Sequence, residues 1–109
     1  MDTQSLANFF KVLSEPVRLR IFYLLVEKDE LCVCNIVEAL NLSQSVVSRH
    51  LAYLRNKGLV VSRRDGVWIY YRLEKIEKDF LNFLLFHGKD NLDIKADLLR
   101  LMATDRRCK

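Results

Sequence analysis

Asp29–Gly58 reads DELCVCNIVEALNLSQSVVSRHLAYLRNKG, two helical stripes joined by a very short link. Val33, Ile36, Val37 and Leu40 recur at helical spacing, and so do Val47, Leu51 and Leu54. Asp29 is placed to cap the first of these helices, and Asn41 suits its C-terminus because Asn tolerates the left-handed cap conformation. Ser43 is placed to cap the second helix, and Gly58 stands where a C-terminal glycine belongs. Only Asn41-Leu42-Ser43 separates the two, the length of a helix-turn-helix turn.

Upstream, Leu6, Phe9, Phe10 and Leu13 mark a first helix. Ser14 is a candidate cap for the next, Pro16 is tolerated in its first turn, and Val17, Ile21, Leu24 and Leu25 form its buried stripe. Downstream the period changes. Leu59 to Arg64 and Val67 to Leu73 are rich in β-branched and aromatic residues. Asp65-Gly66 between them predicts a two-residue hairpin turn with positive φ at both positions. Trp68, Tyr70 and Tyr71 resemble a nucleic-acid stacking set, but they suit better the cross-strand packing that seats the hairpin. Ile76, Phe80, Phe83 and Leu84 then return to helical spacing, and Leu92 to Met102 adds a last helix. The expectation is a mainly α chain with a β-hairpin wing: one winged helix-turn-helix domain spanning residues 1–109, with dimerisation helices at both ends.

Composition narrows the class. A chain of 109 residues with 50% hydrophobic content can pack one core. Lys and Arg number 18 against 14 for Asp and Glu, a net charge of +4 that is compatible with nucleic acid. Met1 to Leu6 contains Asp2 and no apolar run, so no signal peptide is read. Phe80 to Phe86 is too short to span a bilayer. A cytoplasmic location without membrane association is expected, where the three cysteines are kept reduced.

The helix that begins near Ser43 has the character of a DNA reader. With Val47, Leu51 and Leu54 turned inward, Ser45, Ser48, Arg49, Ala52 and Asn56 point outward. Short hydroxyl side chains let a helix approach the major groove, and Arg or Gln reaches base edges. Ser43, Gln44 and Ser45 stand at the helix N-terminus, which favours phosphate. His50 lies on the border of the inner face, as a DNA contact or a packing residue. Arg63 and Arg64 make the wing tip basic, either for phosphate or minor groove or simply for solubility.

Cys32 and Cys34 flank the stripe residue Val33, about 100° to either side of it on a helix. Two thiols one residue apart suit a soft ion, although free cysteines are also common as small buried hydrophobes. Neither position suits deep burial on this reading. On a regular helix the side chains diverge by about 200°. One ion with metal–sulfur bonds near ~2.3 Å needs the sulfurs much closer. The expectation is that ligation distorts the first helical turn and strains the reading helix behind it. Cys108 is either a third ligand, from its own chain or a second copy, or a tail thiol after Arg106-Arg107.

These stretches resemble the ArsR/SmtB family of metal-sensing repressors. The likeness is carried by 13–21 (Leu-Ser-Glu-Pro-Val-Arg-Leu-Arg-Ile), by Glu30-Leu31-Cys32-Val33-Cys34-Asn35-Ile36, by Leu42 to Leu51, by Gly58-Leu59-Val60 and by Arg64 to Leu73. The resemblance implies release from operator DNA on ligation, with As(III) or Sb(III) as the inducer held by Cys32 and Cys34. In the arsenic-sensing branch a third cysteine follows the second by three residues; Val37 stands there instead. Cd(II)- and Pb(II)-sensing relatives draw thiols from an N-terminal arm, and residues 1–31 hold none. Zinc sensors use Asp, His and Glu on the last helix, where His87 is the single His.

Phe80, Leu81, Phe83, Leu84, Leu85 and Phe86 make the post-wing helix apolar on more than one side. A homodimer built with the first helix would cover it and would read an inverted-repeat operator. The alternatives are a Cd(II)- or Pb(II)-responsive repressor or a DNA-binding regulator with no metal input. An enzyme is disfavoured by the lack of Cys-x-x-Cys, a glycine-rich phosphate loop or an evident Cys/His/Asp set.

Overall fold

The computed structural model describes residues 2–76 and 78–104. In chain order the elements are α1 (Thr3–Leu13), α2 (Pro16–Lys28), β1 (Glu30–Cys32), α3 (Val33–Leu40), α4 (Gln44–Asn56), β2 (Val60–Asp65), β3 (Trp68–Leu73), α5 (Lys78–Gly88) and α6 (Leu92–Ala103). This is the anticipated winged helix-turn-helix with one addition. The wing strands join β1 in an antiparallel sheet of order β1-β3-β2, so β3 is central.

Helix boundaries follow from side-chain chemistry. Asp2 caps α1 by accepting from the Ser5 amide. The cap of α2 is Glu15, whose carboxylate accepts from the Arg18 amide, while Ser14 closes α1 and bonds back to the Lys11 carbonyl. Pro16 takes the first helical position, where a missing N–H costs nothing. Asn41 ends α3 in the left-handed conformation, φ 56° and ψ 44°. Gly58, at φ 79°, follows α4 in a Schellman arrangement: its amide bonds to Arg55 O and the Leu59 amide to Leu54 O.

The core gathers around α2, where Ile21, Phe22, Leu24 and Leu25 are fully enclosed. Against them pack Val12, Ile36, Leu40, Val47, Leu51, Leu54 and Val60. Burying one such side chain contributes about 1.5–3 kcal/mol, so this cluster fixes how α3 and α4 sit on the scaffold.

Besides the Ser14 cap, two further local expectations are corrected. Asp29 does not cap α3; it closes α2 at φ 60° and hands the chain to β1. The wing turn is Gly66-Val67, since Asp65 pairs with Trp68. Positive φ occurs at Gly66 alone (64°), as in a type II′ turn with glycine first. The turn thus falls one position later than the Asp65-Gly66 pair predicts.

Candidate nucleic-acid interface and thiol site

The reading helix α4 starts at the Ser43 cap, whose Oγ accepts from the Val46 amide at 3.3 Å. Its inner face is Val47, Leu51 and Leu54, all buried. Gln44, Ser45, Ser48 and Arg49 are exposed along the other face, and Asn56 continues it at the far end. Ala52 is half-buried. Ser43 is exposed and lies 3.3 Å from the Ser45 hydroxyl. The N-terminal turn of α4 thus shows hydroxyls, an amide and a guanidinium on one open surface.

His50 is turned toward the protein. Its Nδ1 lies 3.4 Å from an Arg18 guanidinium nitrogen and 4.0 Å from the Glu15 carboxylate. Arg18 also donates from Nε to Val12 O at 2.8 Å and stacks over the Tyr53 ring at 4.1 Å. One arginine of α2 therefore ties the end of α1 to the back of α4. Sequence spacing gave no sign of this tie.

On the wing, Arg63 is engaged. Its guanidinium forks onto Glu30 at 2.7 and 2.8 Å and lies 4.5 Å over the Tyr70 ring. It spans all three strands, from β2 across β3 to β1. This pairing holds the Glu30 carboxyl below its ordinary range, first by the hydrogen bonds from Arg63 and then by the Arg63 and Arg72 charges. Arg64, nearer the turn, is exposed, and Val67 at the tip is 82% exposed.

The cysteines sit differently from their predicted positions. Cys32 ends β1, paired with Tyr70, and occupies the cap position before α3 in extended backbone, φ −79° and ψ 156°. Cys34 lies in the first turn of α3 and is half-buried. Because one residue is strand and the other helix, the 200° divergence does not arise. The two Sγ atoms are 2.7 Å apart. Cys32 is a free thiol only 3% exposed, against the expectation that it stays out of the core. The expected distortion of the first helical turn is therefore not needed to bring the two sulfurs together.

Cys32 opens on a cavity of 510 Å³ that Glu30, Asn35, Tyr70, Leu101, Met102 and Thr104 also line. Among the described residues no group of three or more His, Cys, Asp or Glu gathers in metal-binding proximity. Cys108 lies outside the described residues. His87 packs against the Phe83 and Phe86 rings.

A buried network missing from the sequence reading lies behind α3. Asp97 of α6, 1% exposed, accepts from Arg20 at 2.7 and 2.8 Å and from Arg100 at 2.8 Å. The hydrogen bonds from Arg20 to Asp97 are the main cause that raises the Arg20 guanidinium pKa further above its ordinary value. A period-based search registers Asp97 only as a polar interruption, because its two partners lie on different helices.

On the surface, Leu6 and Phe10 of α1 and Phe83 and Phe86 of α5 are between 43% and 63% exposed. The Phe10 and Phe80 rings meet at 5.8 Å, which places α1 beside α5. Among the described residues no helix is long and apolar enough to cross a membrane.

Comparison with known proteins matches residues 15–62 to the family described as bacterial regulatory protein, arsR family. The chain is 52% identical over 66 residues to the arsenical resistance operon repressor of Escherichia coli (strain K12), covering 61% of this chain and 56% of that protein. It is 43% identical over 76 residues to the cadmium resistance transcriptional regulatory protein CadC of Listeria innocua, covering 70% of this chain and 64% of that protein. The match thus spans less than two thirds of either relative's length. Among solved structures, the transcriptional repressor BigR from Xylella fastidiosa superposes with a TM-score of 0.67 at 32% identity, over 79% of this chain and 85% of that one.

Proposed function

Since this chain belongs to the ArsR family of bacterial regulatory proteins, we propose that it is a metal(loid)-responsive transcriptional repressor, a DNA-binding regulator rather than an enzyme. The reading is that it binds an inverted-repeat operator as a homodimer and is released when As(III) or Sb(III) is held by cysteine thiolates. The observation that carries it is the 2.7 Å sulfur pair of Cys32 and Cys34 at the start of the first helix of the helix-turn-helix. Soft thiolates close together in a half-buried site suit a thiophilic ion over hard cations. Such an ion would bond both sulfurs in the reduced protein and change the charge and spacing at the head of α3.

Cys108 is the proposed third thiolate. Support comes from Thr104, which lines the same cavity as Cys32 and stands four positions before Cys108 in the chain. For DNA, Gln44, Ser45, Ser48 and Arg49 are the proposed major-groove set, and Ser43 and the α4 N-terminus face phosphate. Arg64 is the proposed wing contact. Arg63 and His50 support these surfaces from behind, given their engagement with Glu30 and Arg18. The exposed apolar strip of Leu6, Phe10, Phe83 and Phe86 is the proposed dimer face.

The test is operator binding by fluorescence anisotropy with and without arsenite, antimonite, Cd(II) and Pb(II). It is run on the wild type and on Cys32→Ser, Cys34→Ser and Cys108→Ser. Arsenite and antimonite are expected to release the wild type. Cys32→Ser and Cys34→Ser are expected to keep the operator and lose the response, and Cys108→Ser to need more ion. Release by Cd(II) or Pb(II) alone would favour the cadmium-type reading, to which the likeness to CadC lends support. Operator affinity indifferent to all four ions would reject metal input.

A further inference from the structure

Helix α6 meets α3 at two places. Asp97 receives Arg20 and Arg100, and each arginine also donates to a carbonyl at the C-terminus of α3: Arg20 to Leu40 O at 2.9 Å, Arg100 to Ala39 O at 2.7 Å. The last carbonyls of a helix lack partners within it, and cations are favoured there by the helix dipole. One buried carboxylate thus orients two guanidiniums that hold the end of α3, where the Asn41–Ser43 turn departs toward α4. Four residues after Asp97, on the same face of α6, Leu101 lines the cavity shared with Cys32. With eight residues, α3 is roughly 12 Å long, so α6 reaches from the sulfurs to the far end of α3.

We propose that the Arg20–Asp97–Arg100 clasp is the coupling element of this repressor: it holds α3 in the orientation that binds operator and loosens when an ion occupies Cys32 and Cys34. The proposal rests on the thiol reading given above. An ion bonded to both sulfurs brings an added atom and its remaining ligands into the space beside them. Cys32 is held on one side by β1–β3 pairing, so that space is the cavity it shares with Leu101 and Met102. Leu101 is 6% exposed and packed in the core, so pressure on it moves α6 as a body rather than one side chain. Asp97 moves with it, and the clasp that depends on bond lengths of 2.7–2.9 Å opens.

The experiment compares the wild type with Arg100→Gln and Asp97→Asn. Operator affinity is measured for ion-free and arsenite-loaded protein, and arsenite binding is followed separately by its thiolate absorption. Arg100→Gln is expected to weaken operator binding by the ion-free protein roughly tenfold and to bring the ion-free and loaded affinities toward each other. Arsenite should still bind stoichiometrically. Asp97→Asn should act in the same direction and more strongly, since it leaves two guanidiniums without their shared carboxylate. If Asp97→Asn does not fold, Arg100→Gln carries the test, because the Arg100 side chain is 40% exposed. A clasp that serves stability alone would lower the melting temperature and leave the ratio of the two affinities at its wild-type value, which would overturn the proposal. A wild type that ignores arsenite would sink the thiol reading and the coupling together. A responsive wild type beside equally responsive variants would sink the clasp alone.

Discussion

Cys32 and Glu30 share a three-residue strand, and their neighbours decide their chemistry. Cys32 meets the other sulfur because it stands in extended backbone immediately before a helix. Glu30 meets Arg63 because β3 is narrow enough for a long side chain of β2 to cross it. A depressed carboxyl pKa means that this clamp is fully present above the ordinary glutamate range, about 4.3, and is lost as pH falls through the lower folded value. The pair is exposed and screened by solvent, so the effect is best read at the residue itself. A carbon-detected NMR titration should show Glu30 titrating below other glutamates and moving back up in Arg63→Gln. A Glu30 that titrates in the ordinary range in both proteins would show that the clamp does not persist in solution.

At the scale of elements, the turn between α3 and α4 depends on one backbone conformation. Asn41 at φ 56° tolerates the left-handed region, whereas a β-branched residue there is strongly disfavoured. Asn41→Val should lower stability by about 1–2 kcal/mol in denaturant unfolding, and Asn41→Gly should leave it close to wild type. Equal losses from both would point to a side-chain role for Asn41 instead. This cap was legible in the sequence, as were the α4 stripe, Gly58 and the wing, because each has a local signature in period or turn chemistry. The strand β1 was not. Three residues are too few to show alternation, and Glu30–Cys32 becomes a strand only by pairing with Tyr70–Arg72, some forty positions away. Cys32 and Cys34 diverge only on a helix continuous through both, and here Cys32 is the last residue of β1. The Asp97 clasp was hidden for the same reason: its meaning lies in Arg20, Ala39 and Leu40, brought together by tertiary packing.

For the whole molecule, the apolar strip on α1 and α5 predicts assembly. Charged substitutions at Phe10 and Phe83 together, as Phe10→Glu with Phe83→Glu, should give a monomer by sedimentation and weaken operator binding, while the largely buried core keeps the fold. A double variant that remains dimeric would place the interface elsewhere. Operator and ion are linked through one scaffold, since the sulfur pair, α3, the turn and α4 follow one another without an intervening loop. Linkage then requires reciprocity: whatever factor arsenite takes from operator affinity, operator must take from arsenite affinity. The decisive measurement is therefore an arsenite titration of the reduced protein, alone and saturated with operator. The account predicts weaker arsenite binding on the operator, by the same factor found for operator release. Equal arsenite affinity in the two titrations would contradict it.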